Sequence, residues 1–312
     1  MTAGPDSRAG PADATGDGDA TTEPTTPFGP ALRERVRRRD CLALAAVPVV
    51  LVAVFLSPEA TRRELAFAYR RPTVLTAYTA HFVHLSLDHL LANVLGYALL
   101  AGTGYVVAVL ADVRRLFGVA AATYLLAFPL VLSALNLAVP RDALGYGFSG
   151  VTTAFAGLLA VVGAAYAGRR LHPALGVRHA PGAFLLALAA VAVLVSPSVP
   201  LARPLAAVAA LGALGYAVSA RGALRSSAAP PRATAREAGW LDLFVVAAVV
   251  FVGYPFVGFP AELRVGTAVT NVYVHLLGFC LAFLVAYICA ELWLADGDRD
   301  KGTVPSGAAR DR

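Results

Sequence analysis

Apolar residues run along this chain in long unbroken stretches rather than in alternation. Eight stretches stand out, at about residues 41–57, 88–110, 116–138, 149–167, 183–197, 201–220, 241–257 and 271–294. Most approach the ~20 residues that cross a bilayer as a helix. Strands of a membrane barrel would change polarity at every second residue, and these do not. The fifth and sixth stretches are short, Ala-rich and separated by Pro197, Pro200 and Pro204. They read as a tight hairpin or as one broken element. The pattern predicts an all-α fold, a polytopic transmembrane helical bundle with about eight spans.

Composition agrees. The chain is 58% hydrophobic and 15% charged, with a mean hydropathy of +0.66, whereas a soluble domain carries roughly 25% charged residues. Residues 1–32 are rich in Gly, Pro, Thr and Asp and are expected to form a disordered cytoplasmic tail. They do not read as a secretory signal, because the basic cluster and the first apolar run come only after residue 32. The membrane domain is expected over 33–294, with a polar cytoplasmic linker at 221–239. A charged, disordered tail is expected at 295–312.

Net charge is +6, and Lys301 is the sole lysine. The arginines flank apolar runs, so they read as topology signals and not as a nucleic-acid surface. With the N-terminus in the cytoplasm, 18 basic residues of the loops fall inside and 7 outside. This predicts a multi-pass cell-membrane protein with both termini cytoplasmic. Four of the outer arginines lie in the loop 58–80, which reads as an amphipathic interfacial helix. Cys41, Cys280 and Cys289 fall in apolar segments without metal-ligand spacing, and are expected as buried filler. No internal repeat of the transporter kind is evident.

Polar chemistry within the apolar runs is sparse, and such residues are functional candidates by default. Ser149 opens the fourth run in Gly147-Phe148-Ser149-Gly150. The second run begins His81, His84, His89, Asn93, and His89 and Asn93 share one helix face. The eighth carries Asn271, His275, Gly278 and Ala282. Ser149 and His275 both lie near the start of their helices. They share a membrane depth only if an odd number of spans separates them, and three are counted. His89 starts a helix of the same direction, so all these groups fall at the outer side. Gly150, Ala154 and Gly157 line one face of the serine helix, and Gly278 and Ala282 one face of the histidine helix. Such faces permit close backbone approach in lipid. His275 is then the candidate base for Ser149. The Ser149 N–H, His89 and Asn93 are candidate oxyanion donors. No Asp or Glu stands out as a third member, since Asp88 points elsewhere on its helix.

Other roles compete for these residues. A serine at a helix start is commonly a cap, and a lone histidine commonly bonds a carbonyl. Asn93 can serve as glue between helices. A metal or haem site on His81, His84 and His89 is disfavoured, because spacings of three and five do not share one face, and no HExxH occurs.

Taken together, His84/His89/Asn93, Gly147/Ser149/Gly150 and His275/Gly278 resemble the motifs of the rhomboid intramembrane serine proteases. The likeness covers roughly residues 40–167 and 258–294. It implies a six-span core plus two extra spans, with Ser149 as nucleophile and His275 as base. It implies oxyanion support from His89 and Asn93, with Gly147, Phe148 and Gly150 framing the serine. Single-pass transmembrane proteins are the implied substrates, cut within or beside the bilayer, with no metal or organic cofactor. The alternative is a catalytically inactive rhomboid-like protein that binds membrane clients. Thr153 stands where the family carries an aromatic packed on the catalytic histidine, and Phe155 is a candidate substitute. Ala282 replaces a common glycine, and Tyr69-Arg70 stands in for a Trp-Arg pair. The segment 258–270, with Gly258, Pro260 and Gly266, is the candidate lid. Oligomeric state is not legible in the sequence.

Overall fold

The computed structural model describes residues 26–139, 142–259, 264–265, 268–269 and 271–302. Helices α1 (Phe28–Arg35), α2 (Arg38–Phe55), α3 (Glu59–Leu65) and α4 (Val74–Thr79) lead to the first long span, α5 (Leu87–Leu110). Next come α6 (Arg114–Leu126), α7 (Phe128–Asn136), α8 (Ser149–Tyr166), α9 (Ala180–Val195), α10 (Ala202–Ser226), α11 (Trp240–Gly258) and α12 (Val272–Gly302). Among the described residues, six helices are long and apolar enough to cross a membrane. Two bent pairs raise this to eight if each counts as one span. The chain is thus a multi-pass helical membrane protein.

Both bends have local causes. The expected span at 116–138 is two helices, α6 and α7, bent by 49°. Pro129 sits in the first turn of α7, where its missing N–H removes a bond to the preceding turn. The first apolar run ends at Phe55, and α3 leaves it at 118°. Helix α3 falls within the loop 58–80 expected to lie at the interface. Its Arg62 guanidinium covers the Phe55 ring at 4.7 Å and donates to the His84 carbonyl at 2.6 Å.

Helix α8 is the axis of the bundle. Of its spanning window 89% is buried, against 11% for α10. Its partner α12 runs parallel to it in a register set by glycines. A Cβ at Gly157 would lie 2.5 Å from the Phe279 carbonyl and 2.8 Å from the Phe283 nitrogen. A Cβ at Gly278 would collide with the Gly150 carbonyl. The small-residue faces anticipated on the two helices therefore meet. Helix α5 flanks α8 on another side, where a Cβ at Gly96 would touch Thr152. Phe155 belongs to this second side. It packs edge-on against Tyr97 at 5.3 Å and Tyr124 at 5.6 Å, so it does not take the place left by Thr153.

The fifth and sixth apolar runs form a hairpin, α9–α10. Phe184 of α9 stacks on Phe279 and Phe283 of α12, with centroids 5.0 and 4.2 Å apart. Helix α10 lies outermost.

Three boundary expectations and one burial expectation change. α1 begins inside the tail expected at 1–32, because Phe28 packs edge-on against Trp240 at 5.6 Å and Ala31 is buried. α10 runs to Ser226, into the expected linker. The rest of that linker is tied to the end of α8, where Arg232 N–H donates to Leu171 O at 2.8 Å. α12 continues to Gly302, past the expected start of the tail at 295; the sequence 290–295 is Ala-Glu-Leu-Trp-Leu-Ala, all helix-compatible. Cys41 is exposed rather than buried, since α2 buries only Val47 and Leu51. Residues 1–25 and 303–312 of the two tails lie outside the described residues.

The glycine contacts carry a measurable consequence. Gly157→Val forces α8 from α12 and is expected to destabilise the fold by about 3 kcal/mol, the upper end for overpacking. Thermal unfolding in detergent should show a clear drop in midpoint. Gly163→Ala is the control, because its Cβ meets nothing within 4 Å; its midpoint should hold or rise.

Candidate active site

The starts of α5, α8 and α12 converge with the end of α11. Ser149 is the first residue of α8, yet its hydroxyl does not cap the helix. It donates instead to His275 Nε2 at 2.6 Å. His275 Nδ1 lies 2.7 Å from the Gly258 carbonyl. A carbonyl only accepts, so Nδ1 carries the proton and Nε2 offers its lone pair to the serine. Ser149 is half-exposed, whereas His275 is 8% exposed. The Phe259 ring meets the imidazole edge-to-face, with centroids 5.8 Å apart. Thr153 plays no such part: its hydroxyl donates to the Gly150 carbonyl at 2.8 Å.

The segment before Ser149 is held from three directions. Phe67 and Ala68 pair antiparallel with Gly145 and Leu144. This ties the first loop to the approach of the serine. Gly147 N–H donates to Ala80 O at 3.0 Å. Gly147 has φ +112, and a Cβ there would meet His89 Cε1 at 2.5 Å. Only glycine satisfies both that conformation and that contact. The Phe148 ring is fully buried between Phe82 and Tyr97.

His89 is thus brought to the site, next to Gly147 and with its ring 5.8 Å from that of Tyr146. Asn93 is buried, and its amide donates to the His89 carbonyl at 2.9 Å. One of its two amide protons is therefore spent on its own helix. His84 is fully buried, edge-on to His89 at 4.9 Å, with Nε2 3.5 Å from the Phe148 nitrogen. Asp88 is exposed.

A second Ser–His pair provides an internal comparison. His81 Nε2 lies 3.0 Å from Ser133 Oγ. Ser133, however, donates its one proton to the Ala77 carbonyl at 2.7 Å, so His81 must be the donor. That histidine cannot act as base toward that serine.

Sequence reasoning did not find Gly258 O, Phe259, or the Asn271 amide bridging Asn136 Oδ1 at 3.0 Å. A main-chain acceptor has no residue signature. The nearest clue was that Gly258 ends the apolar run before the histidine helix. Of the candidate lid, Gly258 closes α11, and Arg264–Val265 pairs with Ala268–Val269. Pro260 and Gly266 lie outside the described residues.

In comparisons with known proteins the chain matches no family model, no curated protein and no solved structure.

The buried histidines ahead of α5 set a pH response. Burial holds His81 down to about 4. Burial, aided by the neighbouring His89, holds His84 down to about 3. Unfolded histidine takes its proton near ~6.5. Between that value and about 4 the unfolded chain binds more protons than the folded one, so stability falls as pH falls. The thermal midpoint in detergent should drop between about pH 7 and pH 4.5. His84→Gln should make that drop shallower.

Proposed function

We propose that this protein is an intramembrane serine endopeptidase of the rhomboid kind, cleaving single-pass transmembrane proteins through a Ser149–His275 dyad and an acyl-enzyme. One observation carries the reading. Among the described residues the Ser149 proton has one acceptor, His275 Nε2 at 2.6 Å, and the other ring nitrogen is already engaged.

Ser149 Oγ attacks the scissile carbonyl carbon as its proton passes to His275 Nε2. The carbonyl oxygen becomes an oxyanion facing the free N–H groups at the start of α8, where the helix dipole is positive. In this reading the His89 ring and the second Asn93 amide proton add donors. His275 then returns the proton to the leaving nitrogen as the C–N bond breaks. Water enters by the reverse route and releases the acyl group. The partly exposed Ser149 admits that water.

The charge bias along the loops supports a cytoplasmic N-terminus, which puts the beginnings of α5, α8 and α12 at the outer side.

Cleavage of a model transmembrane substrate in proteoliposomes tests this. Ser149→Ala and His275→Ala should each lower the rate on the order of 10³-fold or more. A fluorophosphonate should label wild type and not Ser149→Ala. Unchanged cleavage or labelling without Ser149 would sink the mechanism. A wild type inert toward many substrates would favour the client-binding alternative.

A further inference from the structure

A serine–histidine pair needs something to hold the imidazole in one tautomer and to face the positive charge that develops on it. In serine triads a buried carboxylate does this. Among the described residues, the two ring nitrogens of His275 are engaged by Ser149 Oγ and Gly258 O. We propose that the C-terminus of α11 takes the third position: the Gly258 carbonyl is a positioning group for His275, and the Phe259 ring backs it. This rests on the serine-protease reading and adds to it the element that orients the base.

The position of the carbonyl makes it suited to the task. The last carbonyls of a helix have no partner within it. Near the end of α11, the Pro255 carbonyl accepts from Phe259 N–H at 3.0 Å. The Gly258 carbonyl, on the final residue of the helix, is left for the imidazole. It also carries part of the negative end of the helix dipole, worth roughly half an elementary charge. An imidazolium on His275 would face that end directly. A buried Asp or Glu in the same place would itself have to be desolvated within the membrane, whereas a helix terminus brings its partial charge at no such cost.

The surroundings hold the carbonyl on target. Residue 258 has to be small: a Cβ there would lie 2.9 Å from Tyr254 Cε1 and 3.1 Å from Cζ. Tyr254 is itself buried and reaches toward Gly96 of α5, so it has little room to yield. Phe259 is 2% exposed and stands at 83° to the imidazole. Position 153, where the resemblance calls for an aromatic, is occupied by a threonine bonded to its own helix. The support that one helix does not give arrives from another.

The tautomer can be read without any substrate. In the full-length protein with ¹⁵N-labelled histidine, in detergent micelles, NMR should show His275 protonated at Nδ1 with a downfield, exchange-protected Nδ1–H. Gly258→Ala should erase that signature and lower kcat about 30-fold, with KM little changed. Adding Tyr254→Leu to Gly258→Ala makes room for the methyl and should restore both the signal and most of kcat. Phe259→Trp should keep the signal, and Phe259→Ala should lose it. A resting His275 protonated at Nε2 would overturn the proposal, as would Gly258→Ala leaving the Nδ1–H signal untouched. The two readings separate cleanly. Cleavage that depends on Ser149 with an Nε2-protonated His275 refutes the positioning role alone. The Nδ1–H signature in a protein that cleaves nothing refutes the protease reading alone.

Discussion

The contact on which the structure depends is the approach of two helix backbones, α8 and α12, with no side chain between them. Gly157 faces the Phe279 carbonyl and Phe283 nitrogen, and Gly278 faces the Gly150 carbonyl. Within lipid there is no hydrophobic drive between helices, so van der Waals contact has to supply the association. Parallel helices joined this way keep their starts level. That places Ser149 and His275 at one depth, and the 2.6 Å bond between them follows from the register. Shifting either glycine contact by one turn would carry the hydroxyl away from the ring by ~5 Å.

Around that axis the other elements serve the same few atoms. α5 brings His89 against Gly147 and buries Asn93 one turn further on. The pairing of Phe67–Ala68 with Leu144–Gly145 ties the first loop to the approach of the serine. α11 ends at the imidazole. Among the described residues, the site joins its helices through neutral groups: backbone carbonyls, an amide, a hydroxyl and imidazoles. The less exposed ion pairs lie at the opposite end of the bundle. There Arg114 forks onto Asp40 at 2.5 Å, Arg170 pairs with Asp112, and the Arg170 guanidinium covers Trp240 at 5.2 Å. Ion pairs at that end meet water or headgroups, where their desolvation is slight.

The hairpin α9–α10 packs at the outside of the bundle and leaves the α8–α12 contact undisturbed. α9 lies against α12 through a stack of Phe184 on Phe279 and Phe283, and α10 packs outside α9. Because α9 and α10 run in opposite directions, together they return the chain to the side where α8 ends, from which α11 crosses back. The beginning of α12 therefore stays on the side where α8 begins.

Much of this was legible along the chain. Continuous apolar runs named the helices, since a bilayer demands ~20 apolar residues in a row. The spacing of Gly150, Ala154 and Gly157 against Gly278 and Ala282 named the faces that meet. Counting spans between Ser149 and His275 showed that the two could share a depth. These features are local, or follow from the order of elements, and sequence carries both. What holds the His275 ring was decided only in three dimensions. The acceptor is a main-chain carbonyl, a group every residue possesses, and its selection depends on where α11 happens to end. The same holds for Phe155. Its place in the sequence suited the histidine, but its rotation about α8 turns it to Tyr97 and Tyr124 instead. Periodicity fixes which residues share a face of a helix, but the neighbour that each face meets depends on how all the helices pack together.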